Sequence, residues 1–165
     1  FLASVCRDWE ASSADVEALG VQRAVARIGL PLSMAGGGLP RLALPLRMFV
    51  GGRLGNGRQF CPWIHMADTV GALRFLIENE DAHGIFNISA PEPVTNAEFT
   101  RALARALRRP SWLPVPGFAI QAIFGEMATI VLGGERALPQ RLQAAGYAFR
   151  YPDLGAALQD IISAM

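Results

Sequence analysis

The chain has 165 residues, which is about the size of one ordinary domain. Hydrophobic residues make up 52% of it, charged residues 18%, and the formal net charge is only +1. So small a charge provides no strong field for nucleic acid, and no apolar run reaches the ~20 residues that cross a bilayer. We therefore expect neither a nucleic-acid partner nor a membrane partner.

The chemistry-bearing residue types are few. All 15 positive charges are arginines, so no lysine is available for a Schiff base, a P-loop or the activation of a tyrosine. Two cysteines and two histidines, namely Cys6, Cys61, His65 and His83, are too scattered for a metal site. We expect no metal and a reduced, cytoplasmic protein. The chain starts at Phe1 without a leader pattern, and we expect its natural N-terminus to be missing.

The first part of the chain alternates between helical and strand patterns. It predicts a helix over 2–18, a strand over 21–32, a loop at 36–38, a Pro-broken short helix over 39–50 and a turn over 51–57. Apolar residues recur at helical spacing in the first range, and Gly20 follows as a stop. The nearly continuous apolar centre of the strand is typical of a parallel sheet that is covered on both faces.

The rest of the chain continues this alternation and then becomes mainly helical. It predicts a strand over 60–65, a helix over 68–79, a strand over 84–89, a helix from 95, helices near 117–124, 126–132 and 138–145, a short strand over 147–150 and a final helix. Asp68 and Asp153 are the expected helix caps, and Thr95 with Glu98 forms a capping-box pattern. The alternation predicts an α/β fold.

Five segments, in their order and spacing, carry a resemblance to a known family. They are residues 27–33 with the loop at 36–38, residues 57–68, residues 84–91 with 94–99, residues 113–116 with 124–126, and residues 138–142 with 145–147. Together they resemble the second half of extended short-chain dehydrogenase/reductases. They are most similar to a bacterial branch of epimerase/dehydratase-like, sugar-nucleotide epimerase-like proteins that have their own C-terminal domain.

The resemblance implies the C-terminal portion of a Rossmann-like fold, with a short, mostly parallel sheet. Residues 1–110 would form the second half of that domain, and residues 111–165 a small, mainly helical C-terminal domain. The family's phosphate-binding glycine turn lies in its first strand and helix, and the glycines at 36–38 and 51–57 do not have its spacing. We expect NAD or NADP to bind the intact protein and no cofactor to bind this portion alone.

The family's catalytic tyrosine and lysine have no counterpart here. Leu2 and Cys6 match their positions, and no tyrosine precedes residue 147. His65 and Asp68 are the remaining acid/base candidates, because they lie where a strand ends and open α/β sheets place their sites there. The other interpretation is structural, with Asp68 as a helix cap and His65 as a hydrogen-bonded residue at the strand end.

Three residues match the family's strand beside the nicotinamide ring, namely Arg27, Ile28 and Gly29. Gly29 would allow close approach of a planar ring, or it would simply leave room for a neighbouring strand. For a nucleotide-sugar substrate the candidates are Arg58, Trp63 and His65. In the family an arginine just before the equivalent of Trp63 grips the diphosphate, and here Cys61 and Pro62 occupy that neighbourhood. Arg58 either takes over that role or is an exposed loop charge.

These observations favour the substrate-side part of an NAD(P)-dependent, epimerase-like oxidoreductase that acts on a small molecule. The alternative is a non-catalytic binding or regulatory module that keeps the fold without the tyrosine and lysine. Because a parallel sheet is normally continued by neighbouring strands, we also expect self-association or contact with a missing N-terminal half.

Overall fold

The computed structural model describes residues 2–116, 120 and 133–164. Its elements in chain order are α1 (Leu2–Ala11), a 3-10 turn (Ala14–Leu19), β1 (Ala24–Ile28), β2 (Leu30–Leu32), α2 (Gly38–Arg47), β3 (Phe60–Cys61), β4 (Trp63–His65), α3 (Met66–Glu78), β5 (Gly84–Ile88), β6 (Val94–Thr95), α4 (Asn96–Ala106), α5 (Gln140–Ala144) and α6 (Leu154–Ser163). The helices predicted over 117–124 and 126–132 lie outside the described residues, apart from Ile120. Among the described helices, none is long and apolar enough to cross a bilayer.

The strands form three short pairs. β1 pairs with β5 and β2 pairs with β4, both in parallel, whereas β3 pairs with β6 in antiparallel. The α/β fold with short, mostly parallel sheets is confirmed. In the second pair Leu32 lies opposite His65, so β4 ends beside β2 and α3 begins at once.

Gly29 divides the long strand predicted over 21–32 into β1 and β2. Its N–H donates to the carbonyl of Ile88 at 3.0 Å, whereas the next N–H, of Leu30, donates to the carbonyl of Pro62 at 2.7 Å. The chain therefore changes its partner strand at this residue. A Cβ on Gly29 would overlap the Pro62 carbonyl oxygen, so only glycine allows the two backbones to approach this closely.

The N-terminal helix is shorter and more exposed than its pattern predicts. α1 ends at Ala11, and after a 3-10 turn the left-handed Gly20 (φ 74°) ends the segment. The apolar residues Val5 and Trp9 are 45% and 79% exposed. Glu10 holds the helix to β1, because its carboxylate pairs with Arg27 and its carbonyl accepts from Arg23.

The buried apolar residues form two clusters on either side of the β2–β4 pair. The larger cluster lies between α2, α4 and α6, and it includes Leu32, Leu39, Leu46, Trp63, Phe99, Leu103, Leu154 and Leu158. The smaller cluster lies between α3, the β1–β5 pair and α5, and it includes Ile64, Ala72, Leu76, Phe86, Ile88 and Leu142.

Two of the three predicted helix caps are confirmed. Thr95 Oγ1 accepts from the N–H of Glu98 while Glu98 accepts from the N–H of Thr95 at 2.7 Å, and Asp153 accepts from the N–H of Ala156 at 2.8 Å. The prediction for Asp68 was wrong, because α3 begins at Met66 and His65 is its N-cap. The strand predicted over 147–150 was also wrong, since these residues adopt no regular structure.

We predict that Gly29→Ala separates β2 from β4 and lowers the free energy of unfolding by about 3 kcal/mol, the upper part of the range for overpacking. Gly36→Ala is the matched control, because a Cβ there meets nothing within 4 Å. Its expected effect is within about 0.5 kcal/mol. Chemical denaturation measures both, and equal stability of the two variants would contradict the assigned role of Gly29.

Candidate functional site

His65 lies at the carboxyl end of β4 and caps α3. Its backbone is extended (φ −69°, ψ 142°), and its Nδ1 accepts from the N–H of Ala67 at 3.0 Å. The hydroxyl of Thr69 donates to the His65 carbonyl at 3.1 Å. Because Nδ1 is an acceptor, the proton of the neutral ring is on Nε2. The imidazole is thus fixed in one tautomer by its own helix.

The other ring nitrogen faces the C-terminal helix. His65 Nε2 lies 3.3 Å from Oδ2 of Asp160 on α6, which is within ion-pair distance but without the direction of a hydrogen bond. The imidazole stacks on the ring of Tyr151, with centroids 3.9 Å apart. Only 7% of His65 is exposed. The ring is therefore enclosed by residues that come almost a hundred positions later in the chain.

Asp68 is buried in the first turn of α3, at 1% exposure. Its carboxylate accepts from the N–H of Arg150 and the N–H of Tyr151, both at 2.8 Å, and from the hydroxyl of Tyr147 at 3.0 Å. A buried carboxylate needs such partners, and here backbone donors supply most of them. Asp68 therefore fixes the 147–151 segment against α3.

Tyr151 completes the group by donating its hydroxyl to Oδ1 of Asp160 at 2.9 Å. We refer to His65, Asp68, Tyr147, Tyr151 and Asp160 as the His65 cluster. It joins the end of β4 and the start of α3 to α6 through side chains that face one another.

The titration of the His65 cluster follows from burial and charge. Burial lowers the pKa of His65, although the nearby carboxylates of Asp160 and Asp68 oppose this effect. Burial, with the charge and hydrogen bond of Asp68, raises the pKa of Tyr147. The hydrogen bond to Asp160 is the main cause that raises the pKa of Tyr151. At neutral pH the imidazole is neutral and both phenols keep their protons.

The geometry of the His65 cluster suits a structural role, in which it holds residues 147–151, better than proton exchange with a ligand. His65 Nδ1 is occupied by a backbone N–H, and Nε2 is buried and faces Asp160. Asp68 is surrounded by donors. Both sequence candidates thus lie together and are hydrogen-bonded. His65 lies at the strand end as the structural interpretation had it, whereas Asp68 binds the 147–151 segment instead of capping α3. An acid/base role for them stays a prediction that requires Asp160 to move aside.

The candidates for the cofactor lie where β1 gives way to β2. Both oxygens of the Glu10 carboxylate accept from the Arg27 guanidinium at 2.7 Å, and this bond lowers the pKa of Glu10. Ile28 is 45% exposed, and the space beside Gly29 is taken by Pro62. The neighbour-strand interpretation of Gly29 matches this packing, while contact with a nicotinamide ring stays a prediction.

The three substrate candidates differ in exposure, since Arg58 is exposed whereas Trp63 and His65 are buried. Arg58 lies exposed in the loop before β3, where its N–H donates to Oδ1 of Asn56. Trp63 lies in the core at 1% exposure and its indole N–H donates to the carbonyl of Glu92. Burial raises the pKa of the free Cys61 thiol to about 12, so it stays protonated at neutral pH.

Tyr147, Tyr151 and Asp160 were not predicted from the sequence. These are the chain's two tyrosines and an acidic residue on the final helix. Only Asp160 had a usable signal in the sequence. It follows the Asp153 cap by seven residues, which is two turns along α6, and it therefore lies near the residues of that helix that pack inward.

Comparisons with known proteins find similarity to epimerase family proteins. Residues 115–161 match the family described as a domain of unknown function, DUF1731. An epimerase family protein of Staphylococcus aureus, SAR0825, is 41% identical over 163 residues, which are 99% of this chain and 54% of that protein. The chain thus spans about half the length of the curated relatives it matches.

Two crystal structures are similar in fold as well as in sequence. The human epimerase family protein SDR39U1 (isoform 2), solved with NADPH, is 39% identical, with a TM-score of 0.84 over 88% of this chain and 50% of that one. The nucleoside-diphosphate sugar epimerase from Corynebacterium glutamicum is 32% identical, with a TM-score of 0.76 over 98% of this chain and 31% of that one.

The chain is therefore similar to epimerase family proteins over nearly its whole length. It has their α/β Rossmann-like fold, and its C-terminal residues match DUF1731.

We predict that the chain loses stability on acidification through His65. Since the folded pKa lies below the ordinary value of 6.5, stabilisation by the neutral ring is complete above that pH and is lost as the pH falls through the folded pKa. The melting temperature should therefore be lower at about pH 5.5 than at about pH 7.5.

His65→Asn isolates this effect, because asparagine also caps helices but does not titrate in this range. It should lower the melting temperature at both pH values and reduce the difference between them. His83→Asn is the control, since His83 is exposed. An unchanged pH difference in His65→Asn would refute the assignment.

We predict that Asp68→Asn costs about 2–3 kcal/mol of unfolding free energy, because an amide NH2 would face backbone donors that then lack a partner. The exposed Asp8 provides the control, and Asp8→Asn should change stability little. Denaturant titration distinguishes them. A loss of less than about 0.5 kcal/mol for Asp68→Asn would show that these hydrogen bonds do not hold the segment.

Proposed function

We propose that this chain forms the substrate-side part of an NAD(P)-dependent, epimerase-like oxidoreductase. The observation that carries the proposal is the similarity to about half of a human epimerase family protein whose crystal structure contains NADPH. The remaining half of such a protein would provide the main contacts to the cofactor.

The glycine-rich turn at 51–57 supports that division of roles, and the glycines at 36–38, which do lie between β2 and α2, lack the spacing of a phosphate-binding turn. A Cβ on Gly51 would lie 2.7 Å from the backbone nitrogen of Leu46, and one on Gly52 would overlap the Leu113 carbonyl. These glycines therefore allow close packing of the loop against its neighbours. They do not lead from a strand into a helix, as the phosphate-binding turn of a dinucleotide fold does.

The cofactor's nicotinamide end would approach at the carboxyl end of β1, where open α/β sheets bind their ligands. There Ile28 is exposed, while Arg27 is held by Glu10. The guanidinium of Arg27 is already neutralised, so we assign to this strand a shape-complementary contact through Ile28 rather than a charged one.

A small molecule that carries a phosphoryl group, such as a nucleotide sugar, is the proposed substrate class. Its support is the name of the C. glutamicum structure, together with the exposed guanidinium of Arg58 in the loop before β3. Guanidinium groups suit phosphate because their donors form a planar fork.

We also propose that residues 111–165 form a small C-terminal domain packed on residues 1–110, and that further protein covers α1. The exposed Val5 and Trp9 lie on one side of α1, and β1 pairs with a single strand among the described residues. A parallel strand normally has neighbours on both edges. Another part of the same protein, or a second copy, would supply them.

A non-catalytic module is the second candidate. It is favoured by the lack of any lysine in the chain and by Leu2 and Cys6 at the positions of the family's catalytic pair. Assaying the complete natural protein with NADPH and a panel of nucleotide sugars, aldehydes and ketones separates the candidates. Absence of any change in nicotinamide absorbance would favour the module.

We predict that the 165-residue chain alone does not bind NADPH with saturation up to about 1 mM. The reason is the missing phosphate-binding turn. The fluorescence of NADPH, titrated against the chain, measures this. An unrelated Rossmann protein that binds NADPH is the positive control. Tight, saturable binding by the chain would overturn the proposed division between cofactor and substrate sides.

A further inference from the structure

The carboxyl-terminal ends of three helices meet at a groove of about 710 Å³ on the face of α6 away from His65. The groove is lined by the end of α2, the end of α4 and the end of α6. Its polar lining residues are Arg47, Arg105, Arg108, Arg109, Gln159 and Ser163. We call it the arginine groove.

Four guanidinium groups line the arginine groove, and no carboxylate is among those of its lining residues that the structure describes. The side chains of Arg105 and Arg108 make no hydrogen bond or ion pair with any residue that the structure describes. Other arginines of the chain do form ion pairs, such as Arg27 with Glu10 and Arg74 with Glu78. Like charges that line one groove repel one another, so an anion between them would be stabilised.

The helix dipole explains only part of this charge. One cation near each carboxyl-terminal end is favourable, and Arg47 and Arg105 lie in the last turns of α2 and α4. Arg108 follows α4 with a φ of 54°, in the left-handed region where glycine would be less strained. The local backbone therefore does not account for an arginine at this position.

A cation–π contact joins the end of α2 to the end of α4. The guanidinium of Arg109 lies 4.9 Å from the centroid of the Phe49 ring, and Phe49 follows α2 with a φ of 64°. The contact thus joins Phe49, which has a positive φ, to the neighbour of Arg108, which also has one. Such residues concentrate at functional positions, where the surrounding structure holds them.

We propose that the arginine groove binds a small soluble anion with two or more phosphoryl groups. Guanidinium forks pair with phosphate oxygens through parallel hydrogen bonds, and the Gln159 amide and Ser163 hydroxyl supply neutral donors. The volume is in the range of about 300–1,000 Å³ that is usual for small-ligand sites. This site is independent of the proposed oxidoreductase role, because Asp160 faces His65 while Gln159 and Ser163 line the groove.

Calorimetric titration of the 165-residue chain with tripolyphosphate tests the proposal. The expected result is saturable binding that Arg105→Gln and Arg108→Gly each weaken by at least about tenfold, the effect of losing a charge-assisted hydrogen bond. Arg108→Gly should also keep or raise the melting temperature, since glycine suits its backbone. Arg74→Gln is the matched control, because Arg74 is exposed and lies on α3, and it should bind as the natural chain does.

Three results would overturn the proposal. The first is that tripolyphosphate does not bind with saturation. The second is that the natural chain and the Arg105→Gln, Arg108→Gly double variant bind it equally. The third is that citrate binds with the same affinity as tripolyphosphate, which would indicate attraction by charge alone. Vesicles that contain phosphoinositides distinguish a lipid source of the same phosphoryl groups. Binding to these vesicles without binding to tripolyphosphate would also count against a soluble ligand.

Discussion

The buried carboxylate of Asp68 is the interaction on which the arrangement of this chain depends. At 1% exposure an ionised carboxylate is stable only if donors surround it, and its donors come from residues 147, 150 and 151. These partners are separated from it by 79 to 83 positions in the sequence. The requirement to satisfy one charge therefore fixes residues 147–151 against the start of α3.

The position of α6 follows from that fixed segment. Two residues after Tyr151, Asp153 caps α6, so the helix starts at a set distance from Asp68. Its apolar side then packs against α4, through Leu154 and Leu158 in the larger core cluster. Asp160 is carried to His65 as a consequence. The His65 cluster is thus assembled by one charge and one helix cap rather than by the strand end alone.

Local signals in the sequence predicted the elements whose determinants are local. The capping box at Thr95 and the cap at Asp153 involve atoms three residues apart, and β5 is a simple apolar run between turns. The prediction for Asp68 failed because an aspartate before an apolar helix has two possible sets of partners. Its own helix offered one set, and the distant 147–151 segment offered a better one, which no short pattern can reveal.

The same limit explains what was missed at the site. His65 and Asp68 were predicted as neighbours because they are three residues apart where a strand meets a helix. Tyr147, Tyr151 and Asp160 join them only through tertiary contacts, and the strand expected over 147–150 assumed that those N–H groups would bond to another strand. Instead the N–H groups of Arg150 and Tyr151 bond to the Asp68 carboxylate.

The helical patterns likewise predicted apolar faces but not what covers them. The face of α6 is covered by α4, whereas Val5 and Trp9 on α1 stay exposed although their spacing is equally regular. The two helices differ in the contacts that hold them. α6 is held by apolar packing, whereas Glu10 of α1 bonds to Arg27 and Arg23. Such polar ties orient a helix without removing its apolar side from water. Burial of that side would require further protein, as we propose, and the relative of Staphylococcus aureus is indeed longer than this chain.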